Sequence, residues 1–110
     1  MKNTKLSKLP YKGTSDIYPN DMYIRNYLFN IWKKVAERFG YEEYDTPYLE
    51  ETSLYKVKSG EEIANNQLYS FTDKGGRDIS LRPEMTPSLA RMIAAKKNDL
   101  TLPIRWFNIG

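Results

Sequence analysis

At 110 residues, with 40% apolar, 14% aromatic and 28% charged side chains, the chain has room for one domain with a core but not for a second of ordinary size. It has no cysteine and no histidine, which excludes disulfides, thiol chemistry, histidine acid–base work and the usual zinc sites. Carboxylates, lysine, arginine, tyrosine and hydroxyls are left as working groups.

Lys2, Lys5, Lys8 and Lys12 supply more than the whole net charge of +3, so the basic excess belongs to a tail over residues 1–12. Such a tail draws in RNA phosphate or is simply solvated. No apolar run approaches the ~20 residues that span a bilayer, and no apolar stretch follows the lysine-studded start to make a secretory signal. The expected compartment is cytoplasmic, with no membrane partner and no metal ligands.

Gly13-Thr-Ser-Asp-Ile-Tyr-Pro19 is a turn-rich entry in which Pro19 keeps Tyr18 extended. From Asp21 to Phe39, the residues Ile24, Leu28, Ile31, Val35 and Phe39 recur at steps of four and three, which predicts an amphipathic helix closed by Gly40. With Tyr23, Tyr27 and Phe29 beside it, this stripe exceeds what one strand covers. It is either a core face or, in part, a contact with a second copy of the chain.

Tyr41 to Asp45 reads as a short strand, and Thr46-Pro47 as an extended corner before Tyr48-Leu49. Glu51 to Lys58 predicts a short helix with Leu54 and Val57 inward, followed by a loop from Gly60 to Asn66. Leu68–Thr72 and Asp78–Leu81 alternate apolar with polar residues around Asp73-Lys-Gly-Gly76, the pattern of an antiparallel hairpin. Pro103 to Ile109 reads as a strand by its aromatic and β-branched content. With nothing after it, Ile104, Trp106, Phe107 and Ile109 would present an apolar sheet edge, so a continuation beyond Gly110 is expected.

The hairpin leads into Leu81-Arg-Pro-Glu-Met-Thr-Pro-Ser-Leu-Ala-Arg-Met92, a strand-to-helix junction. Pro87 suits the first helical position, which makes Thr86 the natural N-cap of a helix carrying Leu89, Met92 and Ile93 inward. Two roles fit the junction. In one, Thr86 caps the helix, Glu84 answers its dipole, and Arg82 and Arg91 are solvated or pair with acids. In the other, Glu84 and Thr86 offer a carboxylate and a hydroxyl to a ligand's ammonium group.

A further ordering is visible in Gly13-Thr-Ser-Asp-Ile with Pro19, Phe39-Gly-Tyr41, Thr46-Pro47, Ser59-Gly-Glu-Glu62, Leu68-Tyr-Ser-Phe-Thr-Asp73, Gly76-Arg77, Leu81-Arg-Pro-Glu-Met-Thr86 and Pro103-Ile-Arg-Trp-Phe-Asn-Ile-Gly110. In this order and spacing the chain resembles the amino-terminal part of the catalytic domain of the histidyl-tRNA synthetases, which are class II aminoacyl-tRNA synthetases. The resemblance implies an α+β fold, a class II antiparallel sheet with flanking helices, incomplete at the C-terminus and occupying residues 13–110. It places the first class II motif at about 21–47, the loop for the amino group of histidine at 81–86, and the start of the second motif at 103–110.

It further implies that Glu84, Met85 and Thr86 bind L-histidine, and that Ile24, Leu28, Ile31, Val35 and Pro47 contribute to a homodimer interface. The implied activity is that of an aminoacyl-tRNA ligase: ATP, with Mg2+, activates histidine, which is then transferred to tRNA(His). No catalytic residue and no metal ligand falls within the chain on this resemblance. The second motif's arginine, the third motif and the anticodon-binding domain are expected beyond Gly110, so the chain by itself is not expected to aminoacylate. Two alternatives share features with it. One is the regulatory subunit of ATP phosphoribosyltransferase, which has a similar Met-Thr-Pro and Ala-Arg run; the other is a free-standing RNA- or protein-binding module using the basic tail and the edge strand.

Overall fold

The computed structural model describes residues 6–56 and 68–110. Lys2, Lys5, Val57, the Ser59-Gly-Glu-Glu62 segment and the loop expected from Gly60 to Asn66 lie outside the described residues. The described residues form two compact units, 6–42 with 109–110 and 43–56 with 68–108.

Helix α1 (Pro19–Arg38) dominates the first unit. Pro19 occupies its first turn, where a missing N–H leaves nothing unpaired, and Tyr18 ahead of it is extended at φ −75°, ψ 162°. At the other end Gly40 turns out at φ 80°, a conformation open to glycine without a Cβ penalty. The N–H groups of Phe39 and Gly40 close on the carbonyls of Ala36 and Glu37 at 3.1 and 2.9 Å.

The half-covered face of α1 consists of Arg25, Phe29, Lys33 and Ala36. The apolar stripe lies beside it and faces solvent: Ile24 is 57% exposed, Leu28 43%, Ile31 41% and Val35 45%. Periodicity fixes which residues share a face but not whether that face is covered. Phe29 of the half-covered face packs against exposed Trp32 with ring centroids 5.4 Å apart, and the Arg25 guanidinium lies 4.9 Å over the Phe29 ring.

Strand β1 (Glu42–Glu43) pairs with β5 (Trp106–Phe107). Tyr44 N–H donates to the Phe107 carbonyl at 3.0 Å, and Asn108 Nδ2 donates to the Tyr44 carbonyl at 2.8 Å. The aromatic strand is thus paired along one edge with a segment earlier in the chain, and Ile104, Trp106, Phe107 and Ile109 are half-buried.

A three-stranded antiparallel sheet of order β2-β4-β3 follows, built from β2 (Leu49–Glu51), β3 (Ser70–Thr72) and β4 (Asp78–Leu81). Glu51 is the last residue of β2, and the helical turn after it covers residues 53–56. Tyr55, at 3% exposure, is the buried hydrophobe of that turn, whereas Leu54, expected inward, is half-buried.

Register places Glu50, Ser80 and Ser70 in one row and Glu51, Ile79 and Phe71 in the next. Because successive side chains alternate between faces, one face is polar and the other carries Leu49, Phe71, Ile79 and Leu81. The polar face is the buried one. Thr52 Oγ1 and Ser70 Oγ both hydrogen-bond Ser80 Oγ, at 2.7 and 2.8 Å, and Ser80 is fully buried. Leu49, Phe71 and Leu81 remain about half exposed.

Helix α2 (Thr86–Lys96) docks on the polar face through one carboxylate. Buried Glu50 accepts on Oε2 from the hydroxyl of fully buried Ser88 and from Arg91 Nη2 at 3.0 Å and Nε at 3.3 Å. A buried carboxylate is tolerable only with such partners. Leu89, Met92 and Ile93 of the same helix are half-buried.

At the hairpin turn the Asp73 carboxylate accepts N–H groups of Gly75 and Arg77, each at 2.9 Å, and Arg77 Nε at 2.8 Å. The Arg77 backbone N–H foremost, then the Arg77 guanidinium and the Gly75 N–H, hold its carboxyl below the usual aspartate value against the opposing effect of burial.

Two expected outcomes follow from these contacts. Ser88→Ala lowers the unfolding free energy by about 1–3 kcal/mol, since it leaves a buried carboxylate short of a donor; urea denaturation measures the loss. Asp73 stabilises the turn above the ordinary carboxylate pKa, and that contribution is lost as pH falls through its lowered folded-state value. Carbon chemical shifts of the Asp73 carboxyl should therefore titrate below free aspartate, and Asp73→Asn should flatten the acid limb of the stability profile.

Candidate functional site

Between β4 and α2 the backbone leaves one ladder and enters another. Leu81 N–H still donates to the Tyr69 carbonyl and Arg82 N–H to the Tyr48 carbonyl, both at 2.9 Å, so the sheet extends to Arg82 on one side. Pro83 has no N–H to give. The first helical bond on the far side runs from Leu89 N–H to the Met85 carbonyl at 3.0 Å. Residues 83–85 form a short bridge held at both ends.

The helix begins one residue earlier than its sequence suggests. Met85, at φ −89° and ψ −22°, occupies the N-cap position without a side-chain cap bond, Thr86 is the first helical residue, and Pro87 follows within the first turn. Thr86 is therefore not the N-cap. Pro87 remains compatible because the N–H groups throughout a first turn lack intrahelical acceptors. The Thr86 hydroxyl and the Glu84 carboxylate are exposed and make no hydrogen bond or ion pair among the described residues, and Met85 is half-buried. Of the two roles open to the junction, capping by Thr86 loses its geometric basis.

Arg82 holds the near end of the bridge. Its Nη1 donates to the Thr46 carbonyl at 2.9 Å, to Thr46 Oγ1 at 2.6 Å and to the Pro47 carbonyl at 3.3 Å. The guanidinium carbon sits 4.6 Å over the Tyr48 ring, and Asp45 Oδ1 lies 3.9 Å from Nη1. Thr46 Oγ1 also lies 3.9 Å from Met85 Sδ, which brings the corner of the chain at 45–48 against the loop.

Glu50 and Ser88 are absent from the residues singled out in the sequence, where Thr46 figures as part of an extended corner and not as a hydrogen-bond partner. Each meets its partner 36 to 41 residues away along the chain, and no local pattern announces such a pairing. The sequence leaves Arg82 and Arg91 solvated or paired with acids. Arg91 pairs with Glu50; Arg82 has Asp45 at 3.9 Å and donates at shorter range to the Thr46 hydroxyl and to the Thr46 and Pro47 carbonyls.

Near this cluster the Tyr55 hydroxyl is buried and has no hydrogen-bond partner among the described residues. Burial chiefly raises its pKa, and the Glu50 carboxylate adds to this, while Ser88 and the guanidinium groups of Arg82 and Arg91 act in the opposite sense. The Ser88 proton is committed to Glu50. The dimer-interface candidates on α1 stand exposed, as does Pro47. No described helix is long and apolar enough to cross a membrane.

Comparison with known proteins places these features in a family. A histidine–tRNA ligase of Leptospira biflexa is 55% identical over 109 residues, which is 99% of this chain and 25% of that protein. The apo histidyl-tRNA synthetase of S. aureus superposes with a TM-score of 0.76 at 30% identity, over 94% of this chain and 28% of that one. A Bacillus halodurans structure described as an ATP phosphoribosyltransferase regulatory subunit/histidyl-tRNA synthetase superposes at 0.80 with 26% identity, over 98% of this chain and 28% of that one. The chain thus spans about a quarter of the length of the curated relatives it matches. Residues 13–110 match the family described as histidyl-tRNA synthetase, and the chain belongs to that family, with its α+β fold.

Proposed function

We propose that this chain supplies the histidine amino-group subsite of a histidine–tRNA ligase. The observation that carries the proposal is the pair of exposed side chains, Glu84 on a bridge anchored at both ends and Thr86 at the first helical position after it, satisfied by nothing else among the described residues. An ammonium group needs a carboxylate and a second acceptor in fixed relation, and a strand-to-helix turn provides that. Met85 lies between them. A fixed ammonium leaves the histidine carboxylate free to attack the α-phosphorus of ATP and expel pyrophosphate, and the resulting adenylate passes histidine to tRNA(His).

Charge develops on phosphoryl oxygens in that reaction, so its demand is for cations and hydrogen-bond donors rather than for a histidine or cysteine. Mg2+ accompanies ATP as part of the substrate. The described residues contain no cluster of three acidic or histidine side chains suited to a metal ion, and no step is assigned to one on this chain. The exposed stripe of Ile24, Leu28, Ile31 and Val35, with Pro47, is assigned to a homodimer interface, where its burial would be favourable. The setting this reading supplies is cytoplasmic protein synthesis.

The regulatory-subunit alternative gains support from the Bacillus halodurans likeness. Glu84 in Leu-Arg-Pro-Glu and the ligase names of the curated relatives favour aminoacylation.

In a full-length ligase carrying this segment, Glu84→Gln should weaken histidine binding by about 1.5–3 kcal/mol, the range for hydrogen bonds to charged groups. Calorimetric titration with histidine measures it, and an unchanged affinity rejects the subsite. Ile31→Lys combined with Val35→Lys should convert the dimer to monomer in sedimentation velocity. A surviving dimer would move the interface elsewhere.

A further inference from the structure

We propose that Arg82 is the positioning residue of the amino-group loop, setting where Glu84 and Thr86 stand by fastening the loop to the corner at Thr46-Pro47. The proposal rests on the ligase reading of Glu84 and Thr86. It adds a role for a residue that itself touches no substrate in that reading.

The geometry is specific. One nitrogen, Nη1, serves the Thr46 carbonyl, the Thr46 hydroxyl and the Pro47 carbonyl at 2.9, 2.6 and 3.3 Å. The Arg82 side chain is 15% exposed, so these bonds are largely shielded from water and weigh more than surface contacts. The Asp45 carboxylate is 77% exposed and 3.9 Å away, too solvated and too distant to be the main partner. Hydrogen bonding to the corner, not ion pairing, is therefore what Arg82 contributes.

The consequence falls on the loop. Arg82 is the last residue of the sheet ladder, and two residues later comes Glu84, whose own side chain has no tether among the described residues. The far end is set independently, through Ser88 and Arg91 on Glu50. Releasing Arg82 frees one end of the bridge while α2 stays docked. An ammonium held by two groups two residues apart is sensitive to such freedom, because small misplacements in a binding geometry cost disproportionately.

Arg82→Lys isolates this contribution. The lysine ammonium reaches about as far as the guanidinium carbon, so it keeps the charge and the place over Tyr48 but falls short of Thr46 and Pro47 by about one bond. Pyrophosphate exchange in a full-length ligase carrying this segment is the assay, with thermal melting run on each protein. Arg82→Lys should raise KM for histidine about tenfold, while KM for ATP moves by less than about twofold. Thr46→Val removes one acceptor and should shift KM for histidine in the same direction by a smaller factor. The two changes combined should give less than the product of their separate effects, because they act on one contact.

An unchanged KM for histidine in a folded Arg82→Lys protein, with the loss confined to kcat or to melting temperature, overturns the proposal and makes Arg82 merely structural. If Arg82→Lys does not fold, Thr46→Val decides alone: a raised KM for histidine supports the proposal and an unchanged one overturns it. A wild-type protein without histidine-dependent exchange overturns the ligase reading, and this proposal with it.

Discussion

A carboxylate removed from water sets the terms for the second unit. Glu50 lies in the middle strand position of β2, buried, with Ser88 and Arg91 converging on one of its oxygens. Charge in such a place is unfavourable unless its partners are fixed, so the position of α2 relative to β2 is constrained by the hydrogen bonds themselves. An apolar contact would tolerate sliding along the sheet. Three donors meeting one oxygen do not.

The hydroxyl row beside it works in the same way. Thr52, Ser70 and Ser80 come from three different strands or their continuations and meet at a fully buried Ser80 oxygen. A one-residue slip of either outer strand would turn its side chains to the opposite face and cost that oxygen one of its two partners. Polar groups thus specify register here, where a cluster of aliphatic side chains would specify only burial. The precision passes to the loop between β4 and α2, because both of its ends are fixed by bonds of this kind.

Much of this architecture is legible in the sequence. Alternation on either side of Asp73-Lys-Gly-Gly76 gives the hairpin, since both period and turn chemistry are local, and Thr72 pairs with Asp78 across that turn. The span of α1 is legible from periodicity and from Pro19 and Gly40 at its ends. Glu84, Met85 and Thr86 stand out through the order of motifs around them, and the structure leaves Glu84 and Thr86 exposed. Three things are not legible. Alternation does not say which face of a sheet is covered, so the burial of Ser80 in place of Leu81 has no local signal. The partners of Glu50 and Arg82 lie too far along the chain to be paired by spacing. The N-terminus of α2 is displaced by one residue because proline fits more than one position of a first turn.

The inversion of polarity in the sheet has a meaning of its own. An interior built of hydroxyls and one carboxylate gains little from the hydrophobic effect, and Tyr55, at 3% exposure, is the single large hydrophobe buried among the described residues. The apolar surface that would ordinarily stabilise a domain lies instead on the outer face of β2-β4-β3 and, in the other unit, on the stripe of α1. Apolar surface gathered on a face is what a protein presents to something that covers it. The polar interior, for its part, holds a loop in place through Glu50, Ser88 and Arg91. In this sheet the apolar and polar side chains stand on opposite sides of the same three strands, so the exposed face of Leu49 and Leu81 is separate from the hydrogen bonds that fix Glu50, Ser80 and the turn that follows them.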